Sequence, residues 1–91
     1  LNYETVLIID GSLDEAVKDG EIGKVTALIG KSGEVKNINK WGKRRLAYPI
    51  KKKTHGDYTI ITYTGDNTLV REIESGLRIN ENALRYLTVR L

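Results

Sequence analysis

The sequence predicts an α+β fold in the order strand, helix, strand, strand, helix, strand, with four strands in one antiparallel sheet and both helices on one of its faces. Three observations carry this expectation. Runs rich in β-branched and aromatic residues at Asn2 to Ile9 and Tyr58 to Thr64, a long extended segment from Glu34 to Ile50 and a final run from Leu84 to Leu91 read as strands. Apolar spacings of three and four read as helices in the two gaps that separate the first strand from the second and the third from the fourth. The 91 residues, 40% hydrophobic and 30% charged, suffice for one small domain, residues 1–91, and leave no room for a second core.

Each element has its own signal. Tyr3, Thr5, Leu7 and Ile9 alternate with Val6 and Ile8, so the first strand is expected to be buried on both faces, and Asp10-Gly11 ends it. Ser12-Leu13-Asp14-Glu15 matches a capping box and predicts a helix start there. Leu13, Ala16, Val17, Val25, Leu28 and Ile29 supply its apolar positions, while Gly20 and Gly23 predict a kink or break between Asp19 and Gly23. Lys31-Ser32-Gly33 reads as a turn into a long extended segment, Glu34 to Ile50, where Gly42 predicts a bulge and Pro49 an edge position, since proline cannot donate to a ladder. Thr54-His55-Gly56-Asp57 reads as the hairpin turn, and Gly65-Asp66 ends the next strand. Leu69, Val70, Ile73 and Leu77 mark a second helix opened by Asp66 or Asn67, and Asn80-Glu81-Asn82 turns the chain into the last strand. This is the ferredoxin-like βαββαβ order, which leaves one sheet face open as a platform for RNA or a partner protein.

Charge is unevenly distributed. Lys40, Lys43, Arg44, Arg45, Lys51, Lys52 and Lys53 place seven basic and no acidic residues between positions 40 and 53, whereas the rest of the chain is net −4. A concentrated basic segment on an acidic body suits a polyanion-binding domain, and it equally suits an edge strand guarded against aggregation by lysines. Without cysteine and with a single histidine, a Cys/His zinc site or a Cys–His nucleophile cannot be assembled, and no cofactor is expected. The longest apolar run, Val6 to Ile9, is far short of the roughly 18 residues of a membrane span. No methionine occurs, so Leu1 is expected not to be the translation start; removal of a targeting peptide would leave the same trace.

Gly42-Lys43-Arg44-Arg45-Leu46-Ala47-Tyr48-Pro49-Ile50-Lys51 resembles, without a gap, the signature of the bacterial-type small-subunit ribosomal protein six family. Tyr3-Glu4, Leu77-Arg78-Ile79-Asn80-Glu81 and Leu84-Arg85-Tyr86 also look like this family, so the likeness covers nearly the whole chain. The resemblance implies a nonenzymatic constituent of the small ribosomal subunit, ribosome-bound in the cytoplasm or in an organelle. It also implies that the chain binds the central domain of small-subunit rRNA together with small-subunit protein eighteen.

The expected RNA-binding residues are Lys40, Lys43, Arg44, Arg45, Lys51, Lys52, Lys53, Arg78 and Arg85, because ammonium and guanidinium groups neutralise phosphates and arginine also stacks on bases. Arg78, Arg85 and Arg90 read equally well as outward charges. Trp41, Leu46, Tyr48 and Ile50 are the expected contacts to the partner protein. Period two puts Arg44, Leu46, Tyr48 and Ile50 on one face and Arg45, Ala47 and Pro49 on the other. Trp41 could stack on a base or pack on its strand neighbours, Tyr48 reads first as sheet-face packing beside Leu46 and Ile50, and His55 reads as a solvated loop residue.

Three rivals share the fold. An acylphosphatase-like enzyme would need an anion loop with a nearby arginine, but Asp10-Gly11-Ser12-Leu13-Asp14 is acidic and has none. An RNA-recognition-motif-like module outside the ribosome would stack bases on central-strand aromatics, for which phenylalanine is absent and only Tyr58 and Tyr63 are available. A ligand-sensing regulatory domain is the third.

Overall fold

A computed structural model describing residues 1–91 contains β1 (Asn2–Asp10), α1 (Glu15–Ser32), β2 (Glu34–Ile50), β3 (Lys53–Thr64), α2 (Asn67–Ile79) and β4 (Ala83–Arg90). The strands form one antiparallel sheet in the order β2-β3-β1-β4, so β1 and β3 are interior and β2 and β4 are edges. The expected α+β, ferredoxin-like arrangement is therefore present, with Pro49 on an edge strand as its missing donor requires.

The register assigns the two faces, since directly paired residues share one. Tyr3, Leu7 and Ile9 pair with Tyr63, Thr59 and Asp57, and that face packs under the helices. Its core joins Tyr3, Leu7, Ile9, Ile61 and Tyr63 to Ile22, Val25 and Ile29 of α1 and Leu69, Ile73 and Leu77 of α2. The opposite face has no layer above it and holds only a small buried group, Ile8, Leu46 and Leu84, flanked by Ile50 and Tyr58.

The first helix departs from expectation in three ways. It is unbroken, because the side chains missing at Gly20, Gly23 and Gly30 would project into open space, leaving the packed face intact. Three glycines cost about 1 kcal/mol each relative to alanine, whereas burial of Ile22, Val25 and Ile29 contributes roughly 1.5–3 kcal/mol each. The capping box does not form: Asp14 is the N-cap and makes no side-chain bond, while the amide and hydroxyl of Ser12 both donate to Asp10 Oδ1, at 2.9 and 2.7 Å. The buried stripe is Lys18, Glu21, Ile22, Val25 and Ile29, and Ala16 and Val17 face solvent.

Two charges enter that stripe because each finds partners. Lys18 reaches Asp57 on β3 at 3.1 Å and Glu15 at 3.4 Å; burial alone would lower its pKa, but the bonds to Asp57 and Glu15 outweigh it and raise it. Glu21 accepts from Asn80, Asn82 and Lys24, which overcome the upward push of burial and hold its carboxyl below the ordinary range. It ties α1 to the turn before β4. The second helix follows expectation, with Asp66 as N-cap accepting from Leu69 N at 2.9 Å.

The hairpin also differs. Its turn is Lys51-Lys52, flanked by the Ile50–Lys53 pair, and Thr54 to Asp57 lie inside β3. His55 is thus a strand residue opposite Arg45 and not a loop tip. Between the Arg45–His55 and Ile50–Lys53 pairs, Leu46 to Pro49 stand against Thr54 alone, so this part of β2 arches away from regular pairing. Gly56 permits the arch: a Cβ there would run into Ile8 and Leu46, which close over it. A second irregularity falls at Gly42, whose φ of +88° suits glycine, as its place in the strand suggests.

Candidate nucleic-acid interface

β2 carries the basic segment outward, and the surroundings of its charges divide them into groups. Lys43 and Arg45 pair with Asp57 and His55 on the helix side of the sheet, near the end where the loop between β1 and α1 meets the hairpin. That junction is held by Gly11 N donating to His55 O at 3.0 Å. A polar cavity of about 170 Å³ opens there, with Lys43, Lys52, Lys53 and His55 around it and no apolar residue in its lining. Asp10 also reaches it, bonded to Lys53 at 3.2 Å. Burial pushes the Asp10 carboxyl up, but the Ser12 and Lys53 hydrogen bonds prevail and hold it below its ordinary value.

The open face takes a second group. Arg44 lies over the Trp41 ring, 5.4 Å from its centre, and Arg85 of β4 lies over Tyr48 at the same distance while its Nη1 donates to the Tyr48 hydroxyl at 2.7 Å. The arch therefore spans from the β2 edge to the β4 edge, and Lys51 fastens it further by donating to Ala83 O at 3.1 Å. Trp41 and Tyr48 are about half exposed, at 51% and 54%. Tyr48 is not packed into the sheet as the alternation implied, because nothing covers this face and the arch carries the ring to its margin. Of the other two residues expected to meet a partner protein, Ile50 is half-buried and Leu46 is buried, supporting the surface from beneath.

The remaining charges lie elsewhere. Lys40 bonds Asp19 of α1 at 2.7 Å, which raises the lysine's pKa, and Arg78 occupies the last turn of α2, where a cation complements the helix dipole. The expected RNA-binding set is thus not one patch. The structure brings Lys43, Lys52 and Lys53 to one cavity and Arg44 and Arg85 to the open face, while Arg45 stands opposite His55, Lys51 is bonded to Ala83 O, Lys40 of β2 is paired with Asp19 of α1 and Arg78 ends α2. Ser12, Thr54 and His55 also line the cavity, though the sequence reading did not put them in the site. Asp10-Gly11-Ser12 was the available signal, since an aspartate two residues before a serine favours a side-chain turn.

Fold and charge together define a ferredoxin-like α+β domain with an arched basic hairpin and one uncovered sheet face. The family model for ribosomal protein S6 matches residues 2–90, and the chain belongs to that family. It is 42% identical over 89 residues to the small ribosomal subunit protein bS6 of Clostridium novyi, covering 97% of this chain and 94% of the relative. A second bS6, from Syntrophobacter fumaroxidans, is 40% identical over 90 residues; 98% of this chain matches, spanning 61% of that longer protein. The crystal structure of 30S ribosomal protein S6 from Thermotoga maritima superposes with a TM-score of 0.91 at 29% identity, covering 99% of this chain and 86% of that one.

Proposed function

We propose that this protein is a noncatalytic constituent of the small ribosomal subunit that binds the central domain of small-subunit rRNA jointly with small-subunit protein eighteen. The observation that carries the reading is the arched hairpin, which presents lysines and arginines on both sides of an edge strand of a family member. Lys43, Arg45 and Lys52 are exposed and form no ion pair within the chain, so they are available to phosphates. Trp41 and Tyr48, each already stacked with an arginine, offer flat, half-exposed rings on the open face for the partner protein.

The bacterial relatives favour a cytoplasmic ribosome as the place of action. The β1–α1 loop argues against hydrolysis of acylphosphates, because it carries no arginine and its amides are already used, Gly11 N by His55 O and Ser12 N by Asp10 Oδ1, so neither is left to cradle a reacting phosphate. Co-sedimentation tests the reading. Tagged protein added to subunits depleted of their own copy should travel with the small subunit, and a Lys43→Glu/Arg45→Glu/Lys52→Glu variant should remain largely unbound. Equal binding of the two, or wild-type protein staying at the top of the gradient, would refute it.

A further inference from the structure

The structure assigns a phosphate seat to the cavity between the β1–α1 loop and the β2–β3 hairpin, and we propose that one RNA backbone phosphodiester occupies it. This inference rests on the rRNA-binding reading and deepens it.

Three independent features converge there. The first is charge: Asp10 and Lys53 compensate one another at 3.2 Å, which leaves Lys43 and Lys52 in the lining with no ion-paired carboxylate of their own. The second is shape and chemistry. About 170 Å³ is several times a water molecule's share of about 30 Å³, enough for a tetrahedral anion, and although the Ser12 hydroxyl is committed to Asp10, Thr54 and His55 add a hydroxyl and an imidazole to the wholly polar lining. Thr54 Oγ1 and His55 Nδ1 are 3.0 Å apart, which orients both.

The third is backbone strain. Lys51 and Lys52 both sit at positive φ, 51° and 64°, in the two central positions of the hairpin turn, where asparagine and glycine are the easy residues. Lys51 uses its strained position to reach Ala83 O, whereas the Lys52 side chain makes no hydrogen bond within the chain and lines the cavity. A strained lysine without an internal partner has its use outside the molecule.

An RNA strand fits better than a free anion because the cavity is continuous with the edge strand. Lys43 and Arg45 share a face two residues apart, about 6.8 Å along the strand, so a second phosphate can meet Arg45 while the first is seated. Lys43 and Lys52 then act on the same phosphate.

The test has two arms. In the first, full-length 15N-labelled protein is titrated with dimethyl phosphate, as a phosphodiester probe, and separately with inorganic phosphate, following the amides of Ser12, Thr54 and His55. In the second, the salt dependence of binding to a central-domain rRNA fragment is measured for wild type and for Lys43→Gln/Lys52→Gln. We expect the phosphodiester to shift those amides in wild type and not in the double variant, and the double variant to flatten the log–log salt slope by about one unit, the loss of a single phosphate. A flattening of about two would mean separate phosphates, and an unchanged slope with still amides would mean none; either overturns the seat while wild-type rRNA binding leaves the functional reading standing. Amide shifts with inorganic phosphate but not with the diester, in a protein that fails to bind rRNA, would reassign the cavity to a free or terminal phosphate and reject both.

Discussion

Replacing Lys52 by glycine should make the protein more stable and a poorer RNA binder. An L-residue in the left-handed region costs roughly 1–2 kcal/mol, and Lys52 is held there at φ 64°. Glycine removes that cost but brings back about 0.5–1 kcal/mol of unfolded-chain entropy, so the net gain is about 0.5–1 kcal/mol. For a domain of this size each kcal/mol moves Tm by roughly 4–8 °C, so a rise of about 2–8 °C is expected. Lys51 at φ 51° is the internal comparison, because its glycine variant gains the same relief but loses the ammonium bond to Ala83 O. A charged hydrogen bond contributes about 1.5 kcal/mol, which makes Lys51→Gly neutral or mildly destabilising. Lys52→Gln removes the charge and keeps the strain, so it should leave Tm nearly unchanged. Urea and thermal unfolding of the three variants decide the matter. A fall in stability for Lys52→Gly, or equal changes for both glycine variants, would refute the argument that the turn is strained and only Lys51 is anchored.

Removing one side of the buried Lys18–Asp57 pair should cost more: Asp57→Asn is expected to destabilise by about 3 kcal/mol in urea unfolding, at the low end for such pairs because Glu15 stays 3.4 Å from the ammonium. Thr59 is fully buried and its hydroxyl has no hydrogen-bond partner, so Thr59→Val should stabilise by about 1 kcal/mol, and a loss of stability would show that the hydroxyl is satisfied. Asp10 and Glu21 both titrate below their ordinary values, so their contribution is complete above their unfolded pKa values near 4 and is lost as pH falls through the lower folded ones. Stability measured from about pH 5 down to 2 should therefore fall less steeply in Glu21→Gln than in wild type.

Pro49 and Gly42 were legible in the sequence because each acts through its own backbone: a missing donor demands an edge, and a positive φ at a bulge suits glycine. The alternation in β1 and the cap at Asp66 were local in the same sense. What the sequence hid depends on partners distant in the chain. The capping motif at Ser12 was overridden by Asp10, two residues earlier, whose carboxylate captures both donors. Lys18 and Glu21 lie in the buried stripe of α1 because Asp57, Asn80 and Asn82, all far along the chain, come to meet them. Thr54-His55-Gly56-Asp57 had turn-forming residues, yet Gly56 serves a close approach by Ile8 and Leu46 inside a strand, and the turn fell on two lysines that local preference disfavours. The basic segment was visible as composition, but its division between a cavity and a stacked open face follows from the arch at Leu46 to Pro49, which no period-two reading contains.

Joint binding of rRNA and a partner protein is tested most directly by filter binding of a central-domain rRNA fragment at fixed salt, with and without purified small-subunit protein eighteen. The account predicts that the partner tightens rRNA binding by 5- to 150-fold, about 1–3 kcal/mol of coupling, and that rRNA tightens partner binding by the same factor. Equal rRNA affinities in the two titrations would contradict it.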